Sequence, residues 1–220
     1  MILQTEYENQ LKKIGAKFNN PNINWNEWYR QFCYYEEMWE NYFNKIFLNK
    51  IDKSKCIKII FWESCPGGMP FPHQNYVFDT NRFKNNIDGR FDKYLKEVCA
   101  KFQIEWKTKI GNKKIEDLIN DLCEKNILIV DLYPTHGISL DSTNRKNMIT
   151  EILPKYSITK LKEIKIEIKK VMTSFCMDSK IFLTNELYTA GFNDLENKTI
   201  NNIKETLEIS EIPTFERYMK

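Results

Sequence analysis

Apolar residues recur through Trp28, Phe32, Tyr35, Trp39, Tyr42 and Ile46 at spacings of 4, 3, 4, 3 and 4. Side chains three and four apart share one face of an α-helix, so this pattern predicts a long amphipathic helix with an aromatic stripe. The stripe is short for a coiled coil, which favours packing on the chain's own core over a dimer seam along residues 25–47. Ahead of it, Leu11, Ile14 and Phe18 predict a short helix closed by Asn19-Asn20-Pro21-Asn22.

The period changes after Asp52-Lys53-Ser54-Lys55. Ile57-Lys58-Ile59-Ile60-Phe61-Trp62 is a short β-rich run that breaks off in a Gly/Pro loop. Ile127-Leu128-Ile129-Val130 and Ile181-Phe182-Leu183-Thr184 are two more such runs. Helical spacing separates them: Phe83, Ile87, Phe91, Leu95, Val98 and Phe102, then Ile115, Leu118, Ile119 and Leu122. Asp141 or Ser142 is suited to cap a helix that stops at Pro154, and Ser157 to begin a charged helix with Ile158, Leu161, Ile164, Ile168, Val171 and Phe175 inward. Ile164, Ile166 and Ile168 also alternate as a strand would, but the length of the pattern favours helix. A last helix carries Ile200, Ile203 and Leu207, and Ile212-Pro213-Thr214-Phe215 reads as a docking tail or edge strand. Strands alternating with helices predict a parallel α/β sheet. Residues 1–54 then form an N-terminal helical extension packed on an α/β domain of residues 55–220.

Composition narrows this picture. The 220 residues are 42% apolar and 29% charged, which excludes disorder and linker-dominated architectures and suffices for a core without staples. No apolar run approaches the roughly 18 residues of a membrane span, and Met1-Ile2-Leu3-Gln4 lacks a signal-peptide core, so a soluble cytoplasmic protein is expected. The six cysteines (33, 56, 65, 99, 123 and 176) lack CxxC spacing, which agrees with a reducing compartment; Cys99 and Cys123 fall on apolar helix positions. With two histidines and no paired thiols, a structural zinc site is not expected. The net charge of +3 is unevenly spread: residues 82–114 carry +6, residues 143–180 carry +5 and residues 181–220 carry −3. The two basic segments are either solvated helix faces or a surface for nucleic-acid phosphates.

In parallel α/β sheets, ligands bind beyond the carboxyl ends of the strands. The three strand runs lead into Glu63-Ser64-Cys65-Pro66-Gly67-Gly68, Asp131-Leu132-Tyr133-Pro134-Thr135-His136-Gly137 and Asn185-Glu186. Glu63 and Asp131 on neighbouring strands would make a water-activating pair or a metal pair, or each would simply cap a helix or strand end. Cys65, His136 and Asp131 would make a nucleophile, base and orienting acid. Pro66-Gly67-Gly68 lets backbone N–H groups approach an anion, but neither GxGxxG nor a Walker motif is present, which argues against dinucleotides and NTPs.

Ile59-Ile60-Phe61-Trp62-Glu63-Ser64-Cys65-Pro66-Gly67-Gly68, followed by Asn75-Tyr76-Val77-Phe78, resembles the first motif of the uracil-DNA glycosylase superfamily, in its Glu-Ser-Pro-Pro-like branch. Residues 127–133 look like the second core strand of that branch, and residues 181–186 like the strand before its closing motif. The resemblance implies a three-layer sandwich with a central, mostly parallel four-stranded sheet and helices on both faces. It implies that Glu63 positions the attacking water or stabilises an oxocarbenium-like sugar. Backbone amides of the Ser64 to Gly68 loop, which includes Cys65, Pro66 and Gly67, would line the pocket, as would Asn185, and Tyr76 or Phe78 would stack on the extruded base. Asp131 would hold the base-reading position, and His136 would stand in for the closing-motif histidine. No metal or other cofactor is implied.

This sequence departs from the family pattern in three places. Cys65 is inserted between Ser64 and Pro66, Asp131 replaces the common Asn, and Asn185-Glu186-Leu187-Tyr188-Thr189-Ala190-Gly191 has no histidine. An ionised Asp accepts from an amino group and repels uracil O4. Three function classes follow: a glycosylase acting on a base in nucleic acid, a non-catalytic nucleic-acid or protein-binding module on the same fold, or an unrelated α/β hydrolase using Cys65 or the Glu63/Asp131 pair.

Overall fold

The computed structural model of the chain describes residues 1–13, 24–62, 78, 99–100, 102–105, 115–131, 153–172 and 180–183. Its elements are α1 (Gln4–Lys13), α2 (Trp25–Asn41), β1 (Lys58–Trp62), α3 (Ile115–Glu124), β2 (Ile127–Asp131), α4 (Leu153–Val171) and β3 (Lys180–Leu183). The combination is a mixed α/β arrangement with a parallel sheet. The expected helix over residues 83–102 is described only at Cys99 and Ala100, which are helical, and at Phe102; residues 184–220, where a last helix and a docking tail or edge strand are expected, lie outside the described residues.

Helix α2 begins where Asn24 accepts a hydrogen bond through Oδ1 from the Glu27 amide at 3.2 Å, the N-cap arrangement that short polar side chains provide. Phe32, Tyr35, Trp39 and Tyr42 are all buried, as their spacing predicts. Beyond Asn41 the helix widens into a π-helical segment, Tyr42–Phe47, before a final α turn at Leu48–Lys50. An i→i+5 repeat places Tyr42 and Phe47 one above the other with Phe43 alongside, and all three are buried. The α-helical extrapolation to Ile46 therefore needs correction: the wider turn puts Phe47 inward and leaves Ile46 only partly buried.

The sheet has the order β2-β1-β3, with both pairings parallel. Ile59 and Ile60 of β1 point to opposite faces and are both buried, so the central strand is covered on both sides and its sequence lacks polar alternation. In β2, Ile127, Leu128, Ile129 and Val130 have no exposed surface although β2 has only one strand neighbour among the described residues. Helix α2 and its extension account for this. The Trp39 indole Nε1–H donates to the Ile129 carbonyl at 2.9 Å, and the Ile129 amide donates to the Tyr42 hydroxyl over a long 3.5 Å. Both groups of one strand residue face the same side, so two aromatic side chains occupy backbone groups that the β1 ladder leaves unused.

At the amino end of the sheet, Asn126 adopts φ 57°, a left-handed conformation that Asn tolerates better than most residues, and ends α3. Its buried side chain accepts from the Asp52 amide at 2.8 Å and donates to the carbonyls of Asp52 at 2.7 Å and Lys55 at 2.9 Å. Its own carbonyl accepts from the Lys58 amide at 2.8 Å. One residue thus fixes the entries to β1 and β2.

Helix α4 starts at Leu153 and not at Ser157. Pro154 falls in its first turn, where the missing N–H costs nothing, and the helix expected from Asp141 or Ser142 lies outside the described residues. Leu161, Ile164, Ile168 and Met172 are buried whereas Ile166 is 55% exposed, which decides for helical over strand periodicity. Strand β3 begins one residue earlier than its apolar run suggests. The first short helix is α1, with Leu11 buried; Ile14 and Phe18 lie outside the described residues. Side chains from α1, α2, α3, α4, β1 and β2 share one buried cluster, so the aromatic stripe of α2 is covered within the chain.

Candidate functional site

The three parallel strands end together. Trp62 is level with Asp131, and Phe61 is level with both Val130 and Leu183. The chain moves from β1 to one neighbour and then crosses to the other, which makes the carboxyl end of β1 a topological switch point. Asp131 is the last residue of β2, Glu63 follows Trp62 directly in sequence, and Asn185 is two residues beyond Leu183. Glu63, Ser64, Cys65, Pro66, Gly67, Tyr76, His136 and Asn185 themselves lie outside the described residues. Phe78, one of two candidates for stacking on a base, is fully buried with its ring 4.8 Å from that of Tyr42. Its ring fills the core instead of presenting a face to solvent. Among the described residues, no three His, Cys, Asp or Glu side chains converge as a metal site requires.

The cysteines depart from expectation in one respect. Cys33, Cys99 and Cys123 are free thiols, but Cys56, two residues before β1, is in a disulfide. Its partner lies outside the described residues. Cys99 and Cys123 are buried, as their apolar helix positions predict. Burial pushes the Cys123 thiol up to about 12 and raises that of Cys33 as well, which makes neither a ready nucleophile.

A second concavity is built from helices alone. A cavity of about 640 Å³ lies among α1, α2 with its π-helical extension, and α4. Trp39 and Phe43 contribute rings stacked at 5.3 Å and 9°. Lys160 of α4 reaches across to α2: its Nζ lies 2.9 Å from Glu36 Oε1 and 4.2 Å from the centre of the Trp39 ring. Both members of this ion pair are only 5% exposed at the side chain. Glu40, one turn after Glu36, has its carboxyl raised above the ordinary range, first by burial and then by the negative charge of Glu36. Glu163 and Glu167 line the opposite wall, one and two turns beyond Lys160.

The sequence assigned Lys160 to a basic stretch with a solvated or phosphate-facing role; it is instead buried against a carboxylate. Helical geometry divides α4. Lys160, Glu163, Ile164 and Glu167 lie at helical spacing on the cavity side, while Lys162, Lys169 and Lys170 are exposed. A linear count of charge does not separate these faces. A reading of α4 on a helical projection would have found the Glu163/Glu167 pair, but nothing local announces its apposition to Glu36 and Glu40.

No helix of the described residues is long and apolar enough to cross a membrane. No family model matches this chain, and no curated protein and no solved structure is detectably similar to it.

Proposed function

We propose that the chain hydrolyses the N-glycosidic bond of a base flipped out of nucleic acid, as a uracil-DNA glycosylase-like protein built on a four-stranded, three-layer α/β sandwich. The observation that supports this reading is the parallel, in-register pairing of β1 and β2. It makes Asp131 level with Trp62, the residue directly before Glu63, at the edge where α/β sheets bind ligands. Glu63 activates water or stabilises positive charge developing on the sugar, as a carboxylate does in glycoside hydrolysis. Asp131 reads an amino-bearing base edge, and His136 stabilises the leaving base. Backbone amides of Ser64, Cys65 and Gly67 line the pocket, with Pro66 and Asn185 beside them. Tyr76 takes the stacking role, since Phe78 is committed to the core. Extruding the base costs about a few kcal/mol, returned by stacking and edge hydrogen bonds.

The partner is nucleic acid, with DNA favoured, held through the basic segments 82–114 and 143–180. The exposed Lys162 of α4 is suited to phosphates, whereas Lys160 is buried against Glu36 and Lys170 pairs with Glu167. A cytoplasmic location goes with this reading; the disulfide at Cys56 is the observation that pulls the other way.

The test is abasic-site formation on oligonucleotides carrying amino-bearing and modified bases, with Glu63→Gln alongside. Turnover lost in the variant supports the assignment, and turnover unchanged in it removes Glu63 from the chemistry. Salt-sensitive binding without turnover would replace the enzyme by a binding module.

A further inference from the structure

We infer that Cys56 is bonded to Cys176, and that this disulfide is a redox-responsive clamp joining the entries of β1 and β3. The inference does not depend on the glycosylase reading. Of the six cysteines, Cys33, Cys99 and Cys123 are free and Cys56 is in a disulfide, which leaves Cys65 and Cys176 as partners within the chain. Both lie outside the described residues, and the strands beside them decide between the two. Cys65 follows Trp62 by three residues, at the carboxyl edge of the sheet, whereas Cys56 precedes Lys58 by two, at the amino edge. The length of β1 separates these edges by about 13 Å, and a disulfide spans no more than about 7 Å between Cα atoms. Cys65 would have to run back alongside β1 to close that gap. The space is taken: β2 and β3 are paired along the two sides of β1, and Ile59 and Ile60 are buried on its two faces.

Cys176 belongs to the amino edge. Lys58 is level with Lys180 in the parallel pairing of β1 and β3, so the chain enters both strands from the same side. Cys176 is four residues before Lys180, and neighbouring strands lie about 4.8 Å apart, a gap that those residues can close. It is also four residues past Met172, which is buried directly after α4. The bond therefore fastens the connection between α4 and β3 to the start of β1. Asn126 ties that same start to β2, through Asp52, Lys55 and Lys58. The Asn126 tie is indifferent to redox state and the disulfide is not. Cys56 is only partly buried, within reach of a small thiol or disulfide. As the bond forms, the two cysteine thiols give up two protons and two electrons, which convert one low-molecular-weight disulfide of the glutathione type into two thiols; the reverse exchange opens it. Burial raises the thiols of Cys33 and Cys123, which keeps them protonated and slow to attack the bond.

The experiment is peptide mapping of the whole chain without reduction, after incubation with oxidised glutathione, paired with thermal melting. Trypsin places the three cysteines in separate peptides, 56–58, 59–82 and 171–180. A cross-linked pair of 56–58 with 171–180 is expected. Dithiothreitol is expected to lower the melting temperature by about 10 °C, the effect of opening a long closed loop, and oxidised glutathione to restore it. Cys56→Ser and Cys176→Ser should each melt like the reduced chain and lose the response, whereas Cys65→Ser keeps it. The inference is overturned if 56–58 is linked to 59–82 or to a second copy, or if both thiols stay free after oxidation. Melting that ignores reduction, or a response that survives in Cys176→Ser, overturns it equally.

Discussion

The helical cavity and the carboxyl edge of the sheet both gather carboxylates, but they do so by different means. In the cavity, Glu36 is buried and held by Lys160, with Glu40 a turn away, and the wall is the surface of packed helices. At the sheet edge, Asp131 stands where a strand stops, level with the residue before Glu63. Charges of the first kind are expensive to disturb because burial removes the water that would compensate them. Charges at strand ends are delivered by topology, and the fold depends far less on them. Stability and chemistry should therefore separate between the two regions.

The largest effect is expected at the ion pair. Lys160→Ala leaves a buried carboxylate unmatched and should cost about 3–5 kcal/mol in denaturant unfolding. A paired Glu36→Leu, Lys160→Met change should recover most of that loss, and failure to recover would show that geometry rather than charge dominates.

Next comes Asn126→Ala, which removes three side-chain hydrogen bonds and puts Ala at φ 57°, for about 2–4 kcal/mol by thermal melting. Asn126→Gly loses the same bonds without the backbone penalty and should cost about 1 kcal/mol less. Equal losses would mean the conformational contribution is negligible. Trp39→Phe keeps an aromatic ring but leaves the Ile129 carbonyl without the indole donor, so about 1–2 kcal/mol is expected.

The smallest effect concerns pH. Glu40 faces Glu36 on its own helix, Glu6 and the chain's amino terminus from the α1 side, and Lys160, Glu163 and Glu167 from α4. Its raised carboxyl means the folded state binds a proton more readily than the unfolded one. Its contribution is therefore unfavourable at neutral pH: stability falls as pH rises from the ordinary Glu value through the raised one. Glu40→Gln should flatten that part of the stability–pH curve. An unchanged curve would assign the pH dependence to other groups.

The sequence made the three parallel strands, the aromatic face of α2 and the periodicity of α4 readable, because each is a local repeat of apolar positions. The π-helical turn was not readable, since an α-helical period predicts Ile46 inward and only the packed structure reveals Phe47 there instead. The roles of Trp39 and Tyr42 at Ile129, some 87 to 90 residues away in sequence, depend on tertiary approach and leave no local mark. The same holds for Lys160 with Glu36, 124 residues apart. Of the candidate site, the sequence supplied the strand ends, and pairing adds the alignment of Asp131 with Trp62. Glu63 and its loop carry the chemistry in sequence terms alone.

The most direct measurement compares base excision by the unmodified chain, Glu63→Gln and Glu163→Gln on one amino-bearing oligonucleotide substrate, with melting temperatures recorded for all three. The account predicts excision by the unmodified chain, loss of at least about a hundredfold in Glu63→Gln, as for removal of a group acting in the transition state, and near-normal excision in Glu163→Gln. Activity that survives in Glu63→Gln and vanishes in a folded Glu163→Gln would contradict it, moving the chemistry from the sheet edge to the helical cavity.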